Sequence, residues 1–136
     1  MRDWAAMVRD FHIRFGHEVS DVPVILPRDS QLARLAYMQE ELDEYRDAGT
    51  LLDQTDALID LIYFAVGTLA AMGVEPDPLF GIVHEANMTK LWPDGKPRYN
   101  GIGKVIKPPD WRPPDAAMAE ELRRQGAAPH DGERGH

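Results

Sequence analysis

Cysteine is absent from the sequence, which excludes disulfide bridges and thiolate-held zinc. Long hydrophobic runs are absent too. Nothing approaches the roughly 18 consecutive apolar residues of a membrane span, and the N-terminus lacks the apolar core of a secretory signal. Positive charge is scarce: 15 lysines and arginines stand against 23 aspartates and glutamates, for a formal net charge of −8. A balance of that sign disfavours a protein that coats nucleic acid or binds a membrane surface. These absences lead to the expectation of a cytoplasmic protein with neither nucleic acid nor membrane as partner. What is present suits one globular domain with a core of its own, in 136 residues that are 43% hydrophobic and 28% charged.

Periodicity points to helices. Trp4, Met7, Val8, Phe11 and Phe15 recur at helical spacing and Gly16 suits a stop, which predicts a first helix over about 3–15. The segment HEVSDVPVILPRDS, with two prolines and little periodicity, reads as an extended connector. Asp29 and Ser30 are competent N-caps for a second helix running to about Asp47, with Leu32, Leu35, Leu42 and Tyr45 inward and Gly49 at its end. A third helix is predicted over about 53–72, stopped by Gly73. Asp77-Pro78 gives an N-cap and a first-turn proline for a fourth, which carries Leu79, Phe80, Val83, Asn87 and Leu91. Beyond Trp92 the chain turns rich in Gly and Pro, with Asp94-Gly95 the best turn, and reads as an ordered arm with a short hairpin. Residues 1–115 are therefore expected to form one all-α domain with an extended C-terminal arm. Residues 116–136 are expected to make a helical turn or two and otherwise a polar, flexible tail.

The stretch TDALIDLIYFAVG is apolar nearly all round, the mark of a buried helix. Yet Asp56 and Asp60, four apart, project from one side of it. Burying an unpaired carboxylate costs several kcal/mol or more, so such groups are paired, metal-bound or neutralised. The second helix ends in QEELDEYRDAG, where Glu41 and Glu44 share a face and Glu40 lies a turn behind Glu44. A short connection makes the two helices antiparallel neighbours and brings Glu41 and Glu44 towards Asp56 and Asp60. Four converging carboxylates repel unless cations neutralise them. Hard oxygen donors without His or Cys favour Mg²⁺, or Mn²⁺ in its place, over zinc. Two alternatives stand beside this reading. Asp56 could cap the third helix while Asp60 pairs with Arg34 or Arg46, or the bundle could hold metal without doing chemistry.

Between Asn87 and Arg112 the balance reverses, with Lys90, Lys96, Arg98, Lys104, Lys107 and Arg112 against Asp94 and Asp110. Basic residues on one element and acidic ones on another suit a metal-bridged polyphosphate, which needs both. Solvated lysines are the plain alternative.

The combination of EELDEYRDA, DALIDLIYFAVGTLAAMG and HEANMTKLWPDGKPRYNGIGKVIKPPDWRPPD resembles the all-α nucleoside triphosphate pyrophosphohydrolases, which include MazG-like proteins, dimeric dUTPases and phosphoribosyl-ATP pyrophosphohydrolases. VRDFHIRFGHEVSDVPVILP fits the same branch, so the likeness spans about residues 6–115. It implies a four-helix-bundle-like, MazG-type fold and Mg²⁺-dependent hydrolysis of a nucleoside triphosphate to monophosphate and pyrophosphate. Glu41 and Glu44 match the first metal-binding pair, Asp60 the final aspartate, and Glu40 the leading glutamate, a base or outer-shell group. Many members have glutamate three residues before the last aspartate, where this chain has Ala57, and Asp56 stands one residue earlier. Asn87, Lys90, Lys96 and Lys104 match motifs that touch phosphate or sugar. By the same resemblance the substrate is dUTP or another non-standard nucleotide, or phosphoribosyl-ATP, or a nucleotide bound without turnover. A homodimer or homotetramer is expected.

Overall fold

The computed structural model describes residues 3–132, and among these the regular structure is entirely helical. The order is α1 (Trp4–Phe15), α2 (Arg28–Asp47), α3 (Leu51–Ala71), α4 (Pro76–Met88) and α5 (Asp115–Arg124), then a 3₁₀ turn at Pro129–Gly132. One isolated antiparallel bridge, Tyr99 to Val105, lies in the arm. The expected all-α class is the observed one, and no single helix among the described residues is long and apolar enough to cross a membrane.

The helix ends follow local chemistry. Asp3 caps α1 by accepting from Ala6 N at 3.0 Å, and Gly16 closes the helix in the left-handed conformation at φ 73°. Thr50 caps α3 by accepting from Asp53 N at 3.1 Å. Asp29 and Ser30 do not cap α2, which begins at Arg28 behind Pro27. The Asp29 carboxylate instead accepts from Ser30 N, and the Ser30 hydroxyl donates to Glu18 at 2.6 Å, tying the connector to the helix. Pro76 takes the first position of α4, two residues before the proline expected there.

α3 is the element on which α1 and α2 both pack. Its buried positions are Ala57, Gly67, Ala70 and Ala71, small residues that let the neighbours approach closely. At Gly67 the approach is extreme. A Cβ there would lie 2.5 Å from Arg34 Nη2 and 2.8 Å from His12 Nε2. Arg34 crosses from α2, donating from Nε to Thr68 Oγ1 and from Nη2 to the Phe64 carbonyl, both at 3.0 Å. His12 comes from α1, is 2% exposed, and holds the Glu18 carbonyl at 2.8 Å through Nδ1. A polar clasp thus joins three helices at one glycine.

That clasp reverses the expected orientation of α2. Arg34 and Glu41 face α3, whereas Leu32, Leu35, Leu42 and Tyr45, expected inward, are exposed. The helix carries apolar residues on both sides, so its leucine periodicity did not determine the inner face. The remaining core is modest, centred on Val8, Leu26, Ala57, Val74 and Leu79, with no large side chain among the described residues fully enclosed.

α4 leaves α3 at a bend of 117° and packs against α5. The arm is pinned to α4 where Trp111 Nε1 donates to the Ala86 carbonyl at 2.9 Å, and Trp92 Nε1 donates to the Ile106 carbonyl within the arm. The expected Asp94-Gly95 turn is present, with Gly95 at φ 78°. The hairpin itself turns at Asn100–Lys104, where the Asn100 carboxamide oxygen accepts from Ile102 N and Lys104 N. The helical turn or two expected beyond residue 116 is a ten-residue helix, α5, beginning at Asp115. Gln125 then brackets Glu75, accepting from its N–H at 2.8 Å and donating to its carbonyl at 3.0 Å. Residues 133–136 of the expected tail lie outside the described residues.

Gly67→Ala tests the clasp. In an ordinary helix interior the change stabilises by about 1 kcal/mol. Here the methyl group meets Arg34 and His12, so a net loss of about 1–3 kcal/mol is expected in urea unfolding. The histidine tests it differently. Burial, chiefly, lowers the His12 pKa below its usual value, with Arg34 and His17 adding. Its contribution is therefore present above the unfolded pKa of about 6.5 and lost as pH falls through the lower folded value. On acidification from neutrality, His12→Gln should lose less stability than wild type in parallel melts.

Candidate active site

α2 and α3 bring their acidic residues together where the two helices adjoin. Glu40, Asp43, Glu44 and Asp47 from α2, with Asp53 and Asp56 from α3, line an open cleft of about 540 Å³. Glu41 sits beneath it, only 8% exposed, and its Oε2 is buried with no hydrogen-bond partner. Burial pushes the Glu41 carboxyl up to about 7, and Glu44, Asp60 and Glu40 push the same way. Asp60 is half-buried, and its pKa is raised first by burial and then by Asp56 and Glu44. Glu41 therefore lies in the field of Glu44, Asp60 and Glu40, and Asp60 in that of Asp56 and Glu44.

The alternative partners are otherwise engaged. Arg34 is committed to Phe64 and Thr68. Arg46 pairs with Asp47 at 3.0 Å and Asp43 at 3.5 Å. The cap of α3 is Thr50, not Asp56. Neither arginine neutralises Asp60, and no basic group contributes to the shift at Glu41 or Asp60. Ala57, at 1% exposure, is packed into the core, while Asp56 beside it faces the cleft.

Among the described residues, no three His, Asp or Glu side chains stand close enough together to hold a metal ion as they are placed. The donor set nevertheless has the chemistry of a divalent site. It consists of hard carboxylate oxygens, one buried and unpartnered, in mutual repulsion that only protons or cations relieve.

The sequence-selected basic residues lie elsewhere. Asn87 is exposed in the last turn of α4, and Lys90 rests over the Trp111 ring at 5.4 Å, beside Lys107 at 4.7 Å. Lys96 and Lys104 are exposed in the two turns of the arm. None of these lysines pairs with Glu40, Glu41, Glu44, Asp56 or Asp60. Sequence reasoning also passed over a second cavity, of about 360 Å³, lined by His12, His17, Glu18, Ser30, Arg34 and Tyr37 among others. Its signal was the polar pair itself: His12 among the apolar residues of FHIRF and Arg34 among the leucines of LARLA.

Residues 8–87 match the phosphoribosyl-ATP pyrophosphohydrolase family. The chain belongs to that family. Among solved structures it is similar to a candidate NTP pyrophosphohydrolase from Exiguobacterium sp. 255-15, with 29% identity and a TM-score of 0.52 over 91% of this chain and 96% of that one. Comparison with curated proteins gave no match. Family and neighbour together mark a pyrophosphohydrolase acting on acid anhydrides. The matched segment contains every acidic residue of the cleft and ends at Asn87, before the arm.

Asp60→Asn keeps the size of the side chain and removes its charge. Repulsion around Glu41 should fall, so the metal-free variant is expected to melt at or above wild type. Turnover should drop at least about a hundredfold, more than loss of a supporting hydrogen bond near a metal costs. Calorimetry in chelator, paired with pyrophosphate release, checks both. Full activity with a much lower melting temperature would return Asp60 to a structural role.

Proposed function

We propose that this family member is a divalent-metal-dependent nucleotide pyrophosphohydrolase that splits a (d)NTP and water into (d)NMP and pyrophosphate. The observation that carries the reading is the buried, unpartnered Glu41 oxygen in the field of Glu44, Asp60 and Glu40, with no basic side chain contributing at Glu41 or Asp60. Glu41, Glu44, Asp56 and Asp60 would hold Mg²⁺, or Mn²⁺ in its place. Bound there, the cation would supply Lewis-acid activation of water and offset charge on the phosphates. Glu40, which lines the cleft, would accept the proton of the attacking water. Asp56, one residue from the buried Ala57, supplies the carboxylate that the usual glutamate position lacks. Asn87, Lys90, Lys96 and Lys104 would hold phosphate and sugar.

The fold also offers a place for the rest of a nucleotide. Arg34 lies seven residues before Glu41 on α2, about 10 Å along the helix axis. The cavity beside it mixes a cation, a ring hydroxyl, a serine and a carboxylate, a set that suits a base and a sugar. By resemblance the substrate is dUTP or another non-standard nucleotide whose removal cleans the precursor pool. The description of the matched family favours a second reading, hydrolysis of phosphoribosyl-ATP in histidine synthesis. Both reactions break the same anhydride bond and differ in what fills the cavity. A third reading is a regulatory protein that binds nucleotide without turnover. On the first two the working form is a homodimer or homotetramer.

A panel of canonical and non-standard triphosphates plus phosphoribosyl-ATP, run with Mg²⁺ and with chelator, separates these readings. Turnover with Mg²⁺ alone, releasing monophosphate and intact pyrophosphate, is expected. In ¹⁸O-labelled water the label should enter the monophosphate. Label in orthophosphate would place attack at the γ-phosphorus and sink the mechanism, and binding without turnover across the panel would leave the regulatory reading.

A further inference from the structure

The sequence has two asparagines, and they differ in setting. Asn87 is held in the last turn of α4 and is followed by Met88. Asn100 is exposed at the hairpin of the arm and is followed by Gly101. Glycine carries no Cβ beside its backbone nitrogen, so the preceding side chain can approach that nitrogen, and its backbone rotates most freely.

The turn adds to this pairing. Asn100 Oδ1 accepts from Ile102 N and from Lys104 N, both at 3.0 Å. Two N–H donors on one carboxamide oxygen draw electrons from Cγ and would hold negative charge that develops on Oδ1. The Gly101 N–H has no acceptor among the described residues, which leaves its proton open to solvent base. Nothing lies within 4 Å of where a Gly101 Cβ would stand, so this peptide has room to rotate. The loop around it is fastened, with Asn100 N donating to the Lys104 carbonyl at 2.9 Å and Gly103 N to the Asn100 carbonyl at 3.1 Å.

We infer that Asn100 is a site of self-modification: the turn promotes its spontaneous deamidation through Gly101, which puts a new negative charge into the lysine arm. The Gly101 nitrogen gives up its proton and attacks Asn100 Cγ, forming an N–Cγ bond. The Cγ–Nδ2 bond then breaks, and ammonia leaves with the proton that Gly101 gave up. Water opens the resulting cyclic imide. Attack at Cγ restores the main chain and leaves aspartate, whereas attack at the main-chain carbonyl carbon leaves isoaspartate. Water is consumed, ammonia is released and no electrons change hands.

The two products act differently on the arm. Aspartate still accepts from Ile102 N and Lys104 N, now through charge-assisted bonds, and keeps the turn. Isoaspartate inserts a methylene into the backbone between Tyr99 and Val105 and breaks the bridge that joins them. Either carboxylate stands four residues from both Lys96 and Lys104. Those lysines hold phosphate on the proposed function, so the consequence for a phosphate ligand rests on that reading while the modification does not.

Alanine fits at position 101 without strain, because Gly101 takes no positive φ and has open space at its Cβ position. Full-length wild type and Gly101→Ala are therefore incubated in parallel at mildly alkaline pH without metal, folded and in urea. Peptide mapping scores positions 87 and 100 as asparagine, aspartate or isoaspartate, the last by enzymatic isoaspartyl methylation. Wild type is expected to gain both acids at position 100 and none at 87, and to do so faster folded than in urea, where the donors to Oδ1 are lost. Gly101→Ala should slow the folded reaction by about tenfold or more, a barrier change of about 1.4 kcal/mol. An intact Asn100, equal rates in wild type and Gly101→Ala, or a faster reaction in urea would each overturn the inference. Inorganic pyrophosphate then probes the arm by calorimetry. Aged wild type should bind it more weakly than fresh, Asn100→Asp should reproduce the loss without ageing, and aged Gly101→Ala should escape it. Unchanged binding by fully modified protein would overturn the effect on the lysines. Fresh wild type that neither binds pyrophosphate nor turns over a triphosphate would count against the pyrophosphohydrolase reading, and the peptide map alone would decide the modification.

Discussion

Buried negative charge without a counter-ion is the constraint around which this fold is arranged. Glu41 lies on the inner face of α2, its Oε2 cut off from water and from any donor, with Glu44 and Asp60 in its field. An arrangement of this kind is unfavourable for an empty domain, because each carboxylate raises the cost of ionising the next. The rest of the α1–α3 unit keeps the arrangement in place. Small residues along α3 bring α1 and α2 close, and the clasp of Arg34 and His12 about Gly67 fixes the rotation of α2 that turns Glu41 inward. The local instability at the cleft is thus set against a well-bonded polar contact two turns away.

Most of the helices were legible in the sequence because their signals are local. Gly16 and Gly73 act through backbone conformation, which a linear reading can reach, whereas the caps at Thr50 and Pro76 are as local but were not the ones expected. The carboxylate cluster was legible for a related reason, since i,i+3 and i,i+4 spacing on two short-linked helices leaves few other geometries. The rotation of α2 was not legible. Leu32, Leu35 and Leu42 give the stronger hydrophobic signal, yet Arg34 and Glu41 face inward, because a long-range clasp outweighs the pattern. Sequence anticipated a helical turn or two beyond residue 116 but not the docking of α5, which depends on Gln125 finding the backbone of Glu75, fifty positions away.

The outward leucines and the outlying lysines expose two suppositions of a periodicity reading. A periodicity analysis finds apolar faces and supposes that the same chain covers them. It likewise finds acidic and basic segments and supposes that they meet within the chain. Both suppositions fail together if the complement of each surface is a second copy, because an interface is written in the same residue alphabet as a core.

Dividing an anhydride site between an acidic and a basic partner also limits what it can act on. The carboxylate cleft by itself repels a polyanion, so a nucleotide gains a place there only together with divalent charge. The lysine arm by itself would attract phosphates of any kind, weakly and without orientation, through solvated ammonium groups. On the proposed function, a ligand that carries both metal and a chain of phosphates would satisfy the two at once. Selectivity for the polyphosphate then follows from separation of charge, while selectivity for the nucleoside is left to the cavity beside Arg34 and Tyr37, whose lining can vary without disturbing the carboxylates.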